Sequence, residues 1–356
     1  MARYGADDLR DMCHATFVAA GFSPDNARQI AHLMVEANLV GHDSHGVRHI
    51  PIYVSRVRDG LIMPEGEPEI VSETPTTAIL DGKRTLGHIA AARGLELAIE
   101  KARSASIGAV AVRNQEHVGR VGAYPEMAAN AGFVGITLCN GQGRGISIAA
   151  HGGLEARMGA NPFTAAFPNP DGDPILLDIS TSALAINKIR QAKDRGVALP
   201  EGAIVDAAGE PSTDPDDFLK RGGAALPLGG LLYGHKGFGL AVIVDLFCGL
   251  LGGSGTARHH DDVKLNNGTF HIVIDPRAFI DDAAYAAEIR TYTDYLHAST
   301  PLPGSDGVRL PGEFERDNRA ERSANGVEIE DAVWHNIVAT LERLNVPAPK
   351  PLGDGI

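Results

Sequence analysis

The chain alternates helix-type and strand-type segments, and this alternation limits its fold more than any other feature. In residues 86–114, LGHIAAARGLELAIEKARSASIGAVAVRN, a helical pattern runs into a short apolar strand at 109–112. Further strands are predicted at 133–138, 174–179 and 269–274, and long helices at about 236–251, 278–297 and 329–344. This order of elements predicts an α/β or α+β fold.

The two ends of the chain are helical, whereas residues 140–232 are rich in glycine, proline and short strand-like pieces. We therefore predict a helical N-terminal part that also carries substrate groups (1–115), a central α/β cofactor-binding lobe (116–275) and a C-terminal helical segment (276–356). This last segment is expected to return to the first lobe. At 356 residues, the chain can bury a large apolar core over two or three lobes.

Composition excludes several classes of protein. The net charge of −13 opposes a polyanionic partner, so nucleic acid binding is not expected. The N-terminus has no signal-peptide pattern, and the most apolar run, FGLAVIVDLFCGLLGG, is interrupted by Asp245 and predicts a buried helix instead of a membrane span. Three widely separated cysteines in apolar runs favour reduced thiols and a cytoplasmic location.

The stretch LVGHDSHGVRHIPIY, residues 39–53, places His42, His45 and His49 within eight positions. A helix capped by Ser23 and Pro24 should end near Gly41, and another should run from about Pro51 to Gly60. The loop between them is thus tethered at both ends and can hold polar side chains rigidly.

Three chemical roles are open to these histidines. A zinc site needs a rigid face and further ligands, but Gly46 and Pro51 interrupt any helix that would align His45 with His49. The RHHDD run at 258–262 also has ligand-type residues, although such a run is usually solvated. A histidine in a constrained loop can instead transfer a proton near neutral pH, and His45 and His117 are the candidates. Ordinary hydrogen-bonded loop histidines remain the third reading.

Phosphate-binding patterns are weak. The chain lacks both G-x-G-x-x-G and the P-loop pattern, and NGQGRG at 140–145 is better interpreted as a flexible loop. In YGHKGFGLAVIVD, residues 233–245, two glycines and a lysine stand where a buried helix is expected to begin. Its free N–H groups and positive charge suit a phosphate, unless this helix start simply packs closely on a sheet.

Several longer motifs together resemble the type-2 malate/L-lactate dehydrogenase family. They are VGHDSHGV, HVGRVGAYPEMAANAGFV, GANPFTAAFP, LLDISTSA, HKGFGLA, IVIDPRAF and LPGEFERDNRAERSANG. They occur in the family's order at 40–47, 117–134, 159–168, 176–183, 235–241, 272–279 and 310–326. The resemblance covers nearly the whole chain and is closest to the hydroxycarboxylate dehydrogenase branch.

This resemblance implies a malate/L-sulfolactate dehydrogenase-like fold that is not the Rossmann fold, which explains the missing glycine fingerprint. It implies a homodimer with its active site between lobes, and NAD as cofactor with NADP as the alternative. Carried over by motif, the cofactor contacts are His45, Gly119, Arg120, Val121, Asp178, Ile179, Ser180, Thr181, Ser182, His235, Lys236, Asn267, Gly312, Glu313, Phe314 and Glu315. No metal is implied.

The implied reaction moves a hydride between the nicotinamide and C2 of a 2-hydroxy or 2-keto acid, while an imidazole moves the hydroxyl proton. In the family, the equivalents of His45 and His117 are both proposed for this role. We favour His45, because helices anchor its loop on both sides and Ser44 or Asp43 can fix its tautomer. Asp178 is expected to orient an imidazole or a ribose.

One departure from the family concerns the substrate carboxylate. Many members carry an arginine four residues after the Ser-His-Gly histidine, where this chain has His49 with Arg48 beside it. Gln115 and Glu116 also replace the commoner serine and asparagine. Arg48, Arg120 and Arg144 are therefore the candidates to hold the carboxylate.

The substrate stays open among malate, lactate, aromatic 2-hydroxy acids and sulfolactate. The alternatives are an NADPH-dependent reductase of cyclic 2-imino acids and, from another class, a metal-dependent hydrolase that uses His42, His45 and His49.

Overall fold

The computed structural model describes residues 1–142, 145–258 and 266–353. In chain order its helices are α1 (Ala6–Ala19), α2 (Pro24–Leu39), α3 (Ile50–Arg58), α4 (Gly87–Ala105), α5 (Ala123–Asn130), α6 (Ile186–Arg195), α7 (Pro215–Leu219), α8 (Gly230–Asp245), α9 (Asp282–His297), α10 (Glu313–Asn325) and α11 (Asp331–Leu344). Its strands are β1 (Ala2–Tyr4), β2 (Glu69–Glu73), β3 (Thr77–Asp81), β4 (Ile107–Gln115), β5 (Val134–Gly141), β6 (Ile148–Ala149), β7 (Ala156–Met158), β8 (Phe163–Phe167), β9 (Ile175–Ile179), β10 (Ile204–Val205), β11 (Pro211–Ser212), β12 (Ala224–Ala225), β13 (Asn267–Ile274) and β14 (Val327–Ile329). The predicted α/β or α+β class is confirmed.

A helical lobe forms around one apolar core to which α1, α2, α3 and α11 contribute. The predicted cap of α2 is present, because the Ser23 hydroxyl accepts a hydrogen bond from the Asn26 N–H and Pro24 opens the helix. Strand β14 pairs antiparallel with β1, and α11 packs on α1 and α3. The C-terminal segment thus returns to the first lobe.

The central element is a seven-stranded mixed sheet with the order β2-β3-β4-β13-β5-β8-β9. Only β3 and β4 run parallel, and the other neighbouring strands are antiparallel. Helices α4 and α5 pack on this sheet, and α8 with the turns that follow it also contacts β5 and β13. The predicted boundaries at residues 115 and 275 coincide with the ends of β4 and β13, so this one sheet joins segments from both sides of residue 115.

The four predicted strands are present as β4, β5, β9 and β13, each within a few residues of its expected bounds. One extension is informative. Strand β5 continues to Gly141, so Asn140 and Gly141 pair with β13 and do not belong to a flexible loop. Gly143 and Arg144 lie outside the described residues.

A smaller lobe between β5 and α8 carries a five-stranded sheet with the order β11-β10-β12-β6-β7. Most of these strands have two residues. Helices α6 and α7 accompany the sheet, and Ile148, Ile189, Ile204 and Ala225 are among the residues of a separate apolar core. This lobe forms one wall of the cavity described below.

The helix predicted at 236–251 is present, but the expectation that it is buried is partly wrong. Helical structure starts at Gly230, is kinked at Tyr233, and continues as a π-helical segment to Leu251, which makes it long and apolar enough to cross a membrane by length and composition. Only 39% of its most apolar window is buried, and Leu232 and Leu250 are strongly exposed. Asp245, however, is buried, where it accepts hydrogen bonds from Asn140 and the Ala257 N–H. Helix α8 is thus packed on one side and leaves an apolar side uncovered.

Candidate active site

A cavity of about 910 Å³ lies between the helical lobe, the ends of the central strands and the smaller lobe. Its size is in the range of ligand-binding clefts. The predicted site residues that line it are His45, Arg48, His117, Gly119, Arg120, Val121, Asp178, Ile179, Ser180, Ser182, Asn267, Phe314 and Glu315. Residues nearly 300 positions apart in the sequence therefore meet in one space.

Some predicted residues do not line this cavity. Thr181 is buried behind it, where its hydroxyl donates to the Ala160 carbonyl. Gly312 and Glu313 lie beside the lining residues Phe314 and Glu315. Arg144 and residues 259–262 of the RHHDD run lie outside the described residues.

His235 and Lys236 lie on the exposed surface of α8. Tyr233 has non-helical backbone angles and kinks α8, so both residues lie in the first turn of the helix that continues after the kink, as the sequence predicts. The Lys236 ammonium lies over the Tyr233 ring, 5.2 Å from its centroid. Neither side chain faces the cavity of a single chain, so their assignment as cofactor contacts stays a prediction.

The histidine loop consists of two short 3₁₀ turns, Asp43–His45 and Val47–His49. The Asn38 side chain holds both turns, since it donates to Asp43 at 2.7 Å and accepts from the Val47 N–H at 2.9 Å. Gly46 is required here, because a Cβ at this position would come within 2.0 Å of the Asn38 Oδ1. The predicted rigid loop is thus fixed by an asparagine of the preceding helix.

The three histidines of this loop have different partners. His42 Nε2 is 3.1 Å from Glu315, His45 Nδ1 is 3.0 Å from the Ser44 hydroxyl, and His49 Nε2 donates to the Ser44 carbonyl at 2.7 Å. Asp43, the other predicted partner of His45, is bound by Asn38 and Arg322 instead. Within residues 1–142, 145–258 and 266–353, no group of three or more ligand-type side chains is arranged to hold a metal ion.

Ion pairs of Glu116, the residue before His117, hold the turn that carries this histidine in place. The Glu116 carboxylate is buried and pairs with Arg56 at 2.6 Å and with Arg84 at 2.7 Å. Arg56 belongs to α3, so this ion-pair group fastens the end of β4 to the helix that follows the histidine loop. Glu116, which replaces the residue commoner in the family, therefore has a structural role.

His117 has a defined tautomer. Its Nδ1 lies 2.5 Å from the Tyr53 hydroxyl and 3.4 Å from the Gly119 N–H, and a backbone N–H can only donate. Burial, followed by the nearby Glu116 carboxylate, raises the pKa of Tyr53, so the hydroxyl keeps its proton. Nδ1 of neutral His117 is consequently the acceptor, and its Nε2 carries the hydrogen.

The rings of His45 and His117 lie parallel, with centroids 5.7 Å apart, and His49 is 5.0 Å from His117. Burial and the neighbouring histidines lower the pKa of His45 to about 3 and that of His117 well below its usual range. Both imidazoles are therefore neutral at neutral pH. Since a serine hydroxyl can donate or accept, the tautomer of His45 is less strictly fixed than that of His117.

Arg120 is buried between two carboxylates. Its guanidinium donates to Glu126 at 2.8 Å and to Asp178 at 3.2 Å, while its Nη2 is buried without a hydrogen-bond partner among the described residues. Asp178 thus orients this arginine, and it lies 3.8 Å from His42. Because two carboxylates already neutralise the guanidinium, its free donor suits a neutral oxygen better than another carboxylate.

Two cations of the cavity wall, Arg48 and Lys188, lack an ion-pair partner in the part of the chain that the structure describes. Of the other arginines there, Arg322 pairs with Asp43, and Arg195 lies 3.6 Å from Glu330. Arg48 follows His45 by three positions on the same loop. It is the best placed of the predicted carboxylate-binding arginines.

The sequence matches the family model for malate/L-lactate dehydrogenase over residues 4–338. This chain belongs to that family. The match spans the helical lobe, the central sheet and the smaller lobe, so the family assignment holds for the elements that build the cavity.

Individual relatives agree with this assignment. L-lactate dehydrogenase from Cupriavidus necator is 35% identical over 345 residues, which cover 96% of this chain and 97% of the relative. Hydroxycarboxylate dehydrogenase B from Escherichia coli K12 is 34% identical and covers 97% and 95% of the two chains. Among solved structures, a putative malate/lactate dehydrogenase from E. coli has a TM-score of 0.90 at 32% identity over 98% and 96% of the chains. A Δ1-piperideine-2-carboxylate reductase from Pseudomonas syringae has a TM-score of 0.82 at 28% identity, over 96% of this chain and 100% of the reductase chain.

Sequence reasoning missed three residues of the site. Tyr53 stood in the histidine stretch, but nothing in its spacing indicated His117, 64 positions away, as its partner. Asn161 stood in the GANPF motif and lines the cavity, as does Lys188 of α6. The signal that the sequence offered for Asn161 was its position directly before the proline of the GANPF motif.

Burial of histidines makes the stability depend on pH, through His45, His49 and His117 of the cavity region and through His88 and His271, which are fully buried outside it. Burial lowers the pKa of His88 and of His271 to about 3, and both are accessible to solvent in the unfolded chain. Between pH 7.5 and 5.5 the unfolded state gains protons that the native state does not, so stability falls. We expect a loss of about 1 kcal/mol per histidine, measured by urea unfolding at the two pH values.

His88→Gln should reduce this pH-dependent loss by about 1 kcal/mol, because one of the contributing histidines is removed. His335→Gln, on the exposed surface of α11, is the matched control and should leave the loss unchanged. Equal stability of the wild type at both pH values would contradict the prediction.

Proposed function

We propose that the chain is a nicotinamide-dependent 2-hydroxycarboxylate dehydrogenase that interconverts a 2-hydroxy acid and a 2-keto acid. The observation that carries this proposal is the imidazole of His117, with its Nδ1 held by Tyr53 and Gly119, in a cavity that also presents the unpaired Arg48. Family membership supports the same chemistry.

The residues present fit a dinucleotide cofactor. The cavity has room for one, and the Nη2 of Arg120 and the Oδ1 of Asn267 are buried there without partners among the described residues, which a bound ligand would satisfy. Bound in this cavity, the nicotinamide ring supplies the acceptor or donor of the hydride at C2 of the acid.

The chain's own residues then hold the acid and move the proton. Arg48 binds the carboxylate with paired N–H groups, which orients C2. Tyr53 and Gly119 hold Nδ1 of His117, so Nε2 is the nitrogen left for the acid. In the reduction direction protonated His117 gives its Nε2 proton to the carbonyl oxygen at C2. In the oxidation direction Nε2 takes the proton of the C2 hydroxyl from the tautomer opposite to that of the free site, in which Nδ1 carries the hydrogen. When His117 is protonated, its Nδ1–H donates to the Tyr53 oxygen. A bound carboxylate favours this charged form and so raises the pKa of His117 from its low value.

This assignment revises the preference for His45. That preference depended on a partner that holds the imidazole, and His117 has two, since the Tyr53 hydroxyl and the Gly119 N–H both lie against its Nδ1 and leave Nε2 for the acid. His45 lies parallel to it and is proposed as a cofactor contact.

We propose NAD as the cofactor. Arg48 and Lys188 are the cavity cations without ion-pair partners in the described ranges, and the substrate carboxylate and the cofactor diphosphate account for both. No further unpaired cation of the described cavity wall is left for a 2′-phosphate. A cytoplasmic location is also proposed, supported by buried free thiols at Cys13, Cys139 and Cys248.

A substrate panel tests the proposed function. After treatment with EDTA, the protein is assayed with NADH and with NADPH on pyruvate, oxaloacetate, sulfopyruvate, an aromatic 2-keto acid and a cyclic 2-imino acid. We expect reduction of at least one 2-keto acid, faster with NADH and unaffected by chelation. Activity on the cyclic imine alone would establish the reductase alternative, and activity restored only by zinc would establish the metal-dependent one.

Two substitutions separate the roles of the paired histidines. His117→Asn should lower turnover by about 10²- to 10⁴-fold while NADH affinity stays nearly intact, since proton transfer in the chemical step is lost. His45→Asn should mainly weaken NADH binding. Steady-state kinetics and a fluorescence titration of NADH measure the two effects, and the opposite pattern would reverse the assignment.

We also propose a homodimer, with the uncovered apolar side of α8 and the segment after it as its interface. Leu232 is 79% exposed and Leu250 is 66% exposed, and α9 has no buried residue. Such a surface in a soluble protein is usually covered by another chain. Leu232→Glu and Leu250→Glu should shift the mass from dimer to monomer in light scattering, whereas Val18→Glu, on the exposed side of α1, should not. A monomeric wild type, or one that partitions onto lipid vesicles, would reject the proposal.

A further inference from the structure

Two asparagines of the cavity wall present hydrogen-bond acceptors that nothing in the described protein satisfies. Asn161 is 1% exposed and Asn267 is 8% exposed, and the Oδ1 atom of each is buried without a partner among the described residues. A buried acceptor without a donor costs free energy, so native proteins rarely keep one unless a ligand or water supplies the donor.

The orientation of both amides is fixed by carbonyl groups. The Nδ2 of Asn161 donates to the Ala241 carbonyl at 3.0 Å, and the Nδ2 of Asn267 donates to the Asn140 carbonyl at 2.9 Å. Because a carbonyl oxygen only accepts, the nitrogen of each amide must face it. The oxygen of each side chain is therefore the atom left for a ligand, and exchanging N and O would place oxygen against oxygen.

Both asparagines line the cavity, and the backbone of Gly159 and Gly141 lies between them. A Cβ on Gly159 would lie 2.8 Å from the Asn161 Oδ1 and 3.1 Å from the Gly141 carbonyl, and a Cβ on Gly141 would lie 3.5 Å from the Asn267 Nδ2. Glycines at these two positions leave the backbone between the asparagines open. The unpartnered Nη2 of Arg120 lines the same cavity and adds a donor.

We infer that Asn161 and Asn267 accept the two N–H groups of the primary carboxamide of the nicotinamide ring, and that Arg120 donates to its oxygen. A primary carboxamide offers two donors and one neutral acceptor, which matches two orphaned oxygens and one orphaned N–H group. A neutral acceptor also suits Arg120, whose charge Glu126 and Asp178 already neutralise. The inference rests on the proposed function, and it adds Asn161 to the cofactor site.

Dinucleotide analogues test this inference by equilibrium binding, followed by fluorescence titration or calorimetry without turnover. The reduced 3-acetylpyridine analogue keeps the carbonyl oxygen but lacks both N–H groups. The wild type should bind it about tenfold or more weakly than NADH, because two buried acceptors stay unsatisfied. The thionicotinamide analogue keeps the NH₂ group and should bind more like NADH.

The Asn161→Leu variant, compared with the wild type on the same two dinucleotides, completes a double-mutant cycle. It should weaken NADH about tenfold and change the affinity for the acetylpyridine analogue less than about twofold. Asn336→Leu, on the exposed surface of α11, is the matched control and should bind both dinucleotides as the wild type does. If Asn161→Leu does not fold, the three dinucleotides compared on the wild type still decide the question.

Three results would overturn the inference. Equal affinity of the wild type for NADH and the acetylpyridine analogue would show that the carboxamide N–H groups are not bound. Equal losses for both dinucleotides in Asn161→Leu would mean a structural role. Discrimination against a hypoxanthine dinucleotide instead would place the asparagines at the adenine end. A wild type that binds no dinucleotide at all would refute the proposed function itself, which is a separate outcome.

Discussion

The buried guanidinium of Arg120 is the point at which the separate segments of the site meet. It joins the turn after β4 to Glu126 of α5 and to Asp178 at the end of β9. Glu126 in turn binds Arg319 of α10, and Asp178 lies near His42 of the histidine loop. Each charge in this group is buried only because its partners are in place, so the positions of five segments depend on one another.

Burial also sets the chemistry of the histidines. The imidazoles of His45, His49 and His117 lie within a few ångströms of one another, and each additional charge among them would repel the others. The free site is therefore uncharged at its reactive wall and has its positive charge on Arg48. This order of charges lets an anionic substrate change the protonation of the site on binding, which a permanently charged base would not allow.

Much of this architecture was predictable from local patterns. Strands β4, β5, β9 and β13 are continuous apolar runs between turn residues, and the Ser23 and Pro24 pair marked the start of α2. The two-residue strands of the smaller lobe were not predictable singly, because so short a segment has no period. The turn of α8 before its kink at Tyr233 was not predicted for a related reason, since a single turn that begins with Gly230 has no helical period.

The motifs predicted which residues line the site, but they did not predict which side chains bind one another. Motifs placed thirteen of the predicted residues on the cavity wall. The pairing of Tyr53 with His117, and of Glu116 with Arg56 and Arg84, joins positions far apart in the chain, and only the packing of α3 against the end of β4 brings them together. The orphaned oxygen of Asn161 depends on the carbonyl of Ala241 and has no counterpart in any local pattern.

The pairing of β1 with β14 and the contacts of α10 with the histidine loop affect how the protein matures. Glu315 binds His42, and Arg322 binds Asp43, so the histidine loop is completed by residues synthesised 273 and 279 positions after it. During synthesis the smaller lobe and most of the central sheet can form while the chain is still on the ribosome. The site itself must wait for α10 to emerge, and a chain released before that point would hold much of the fold without a working centre.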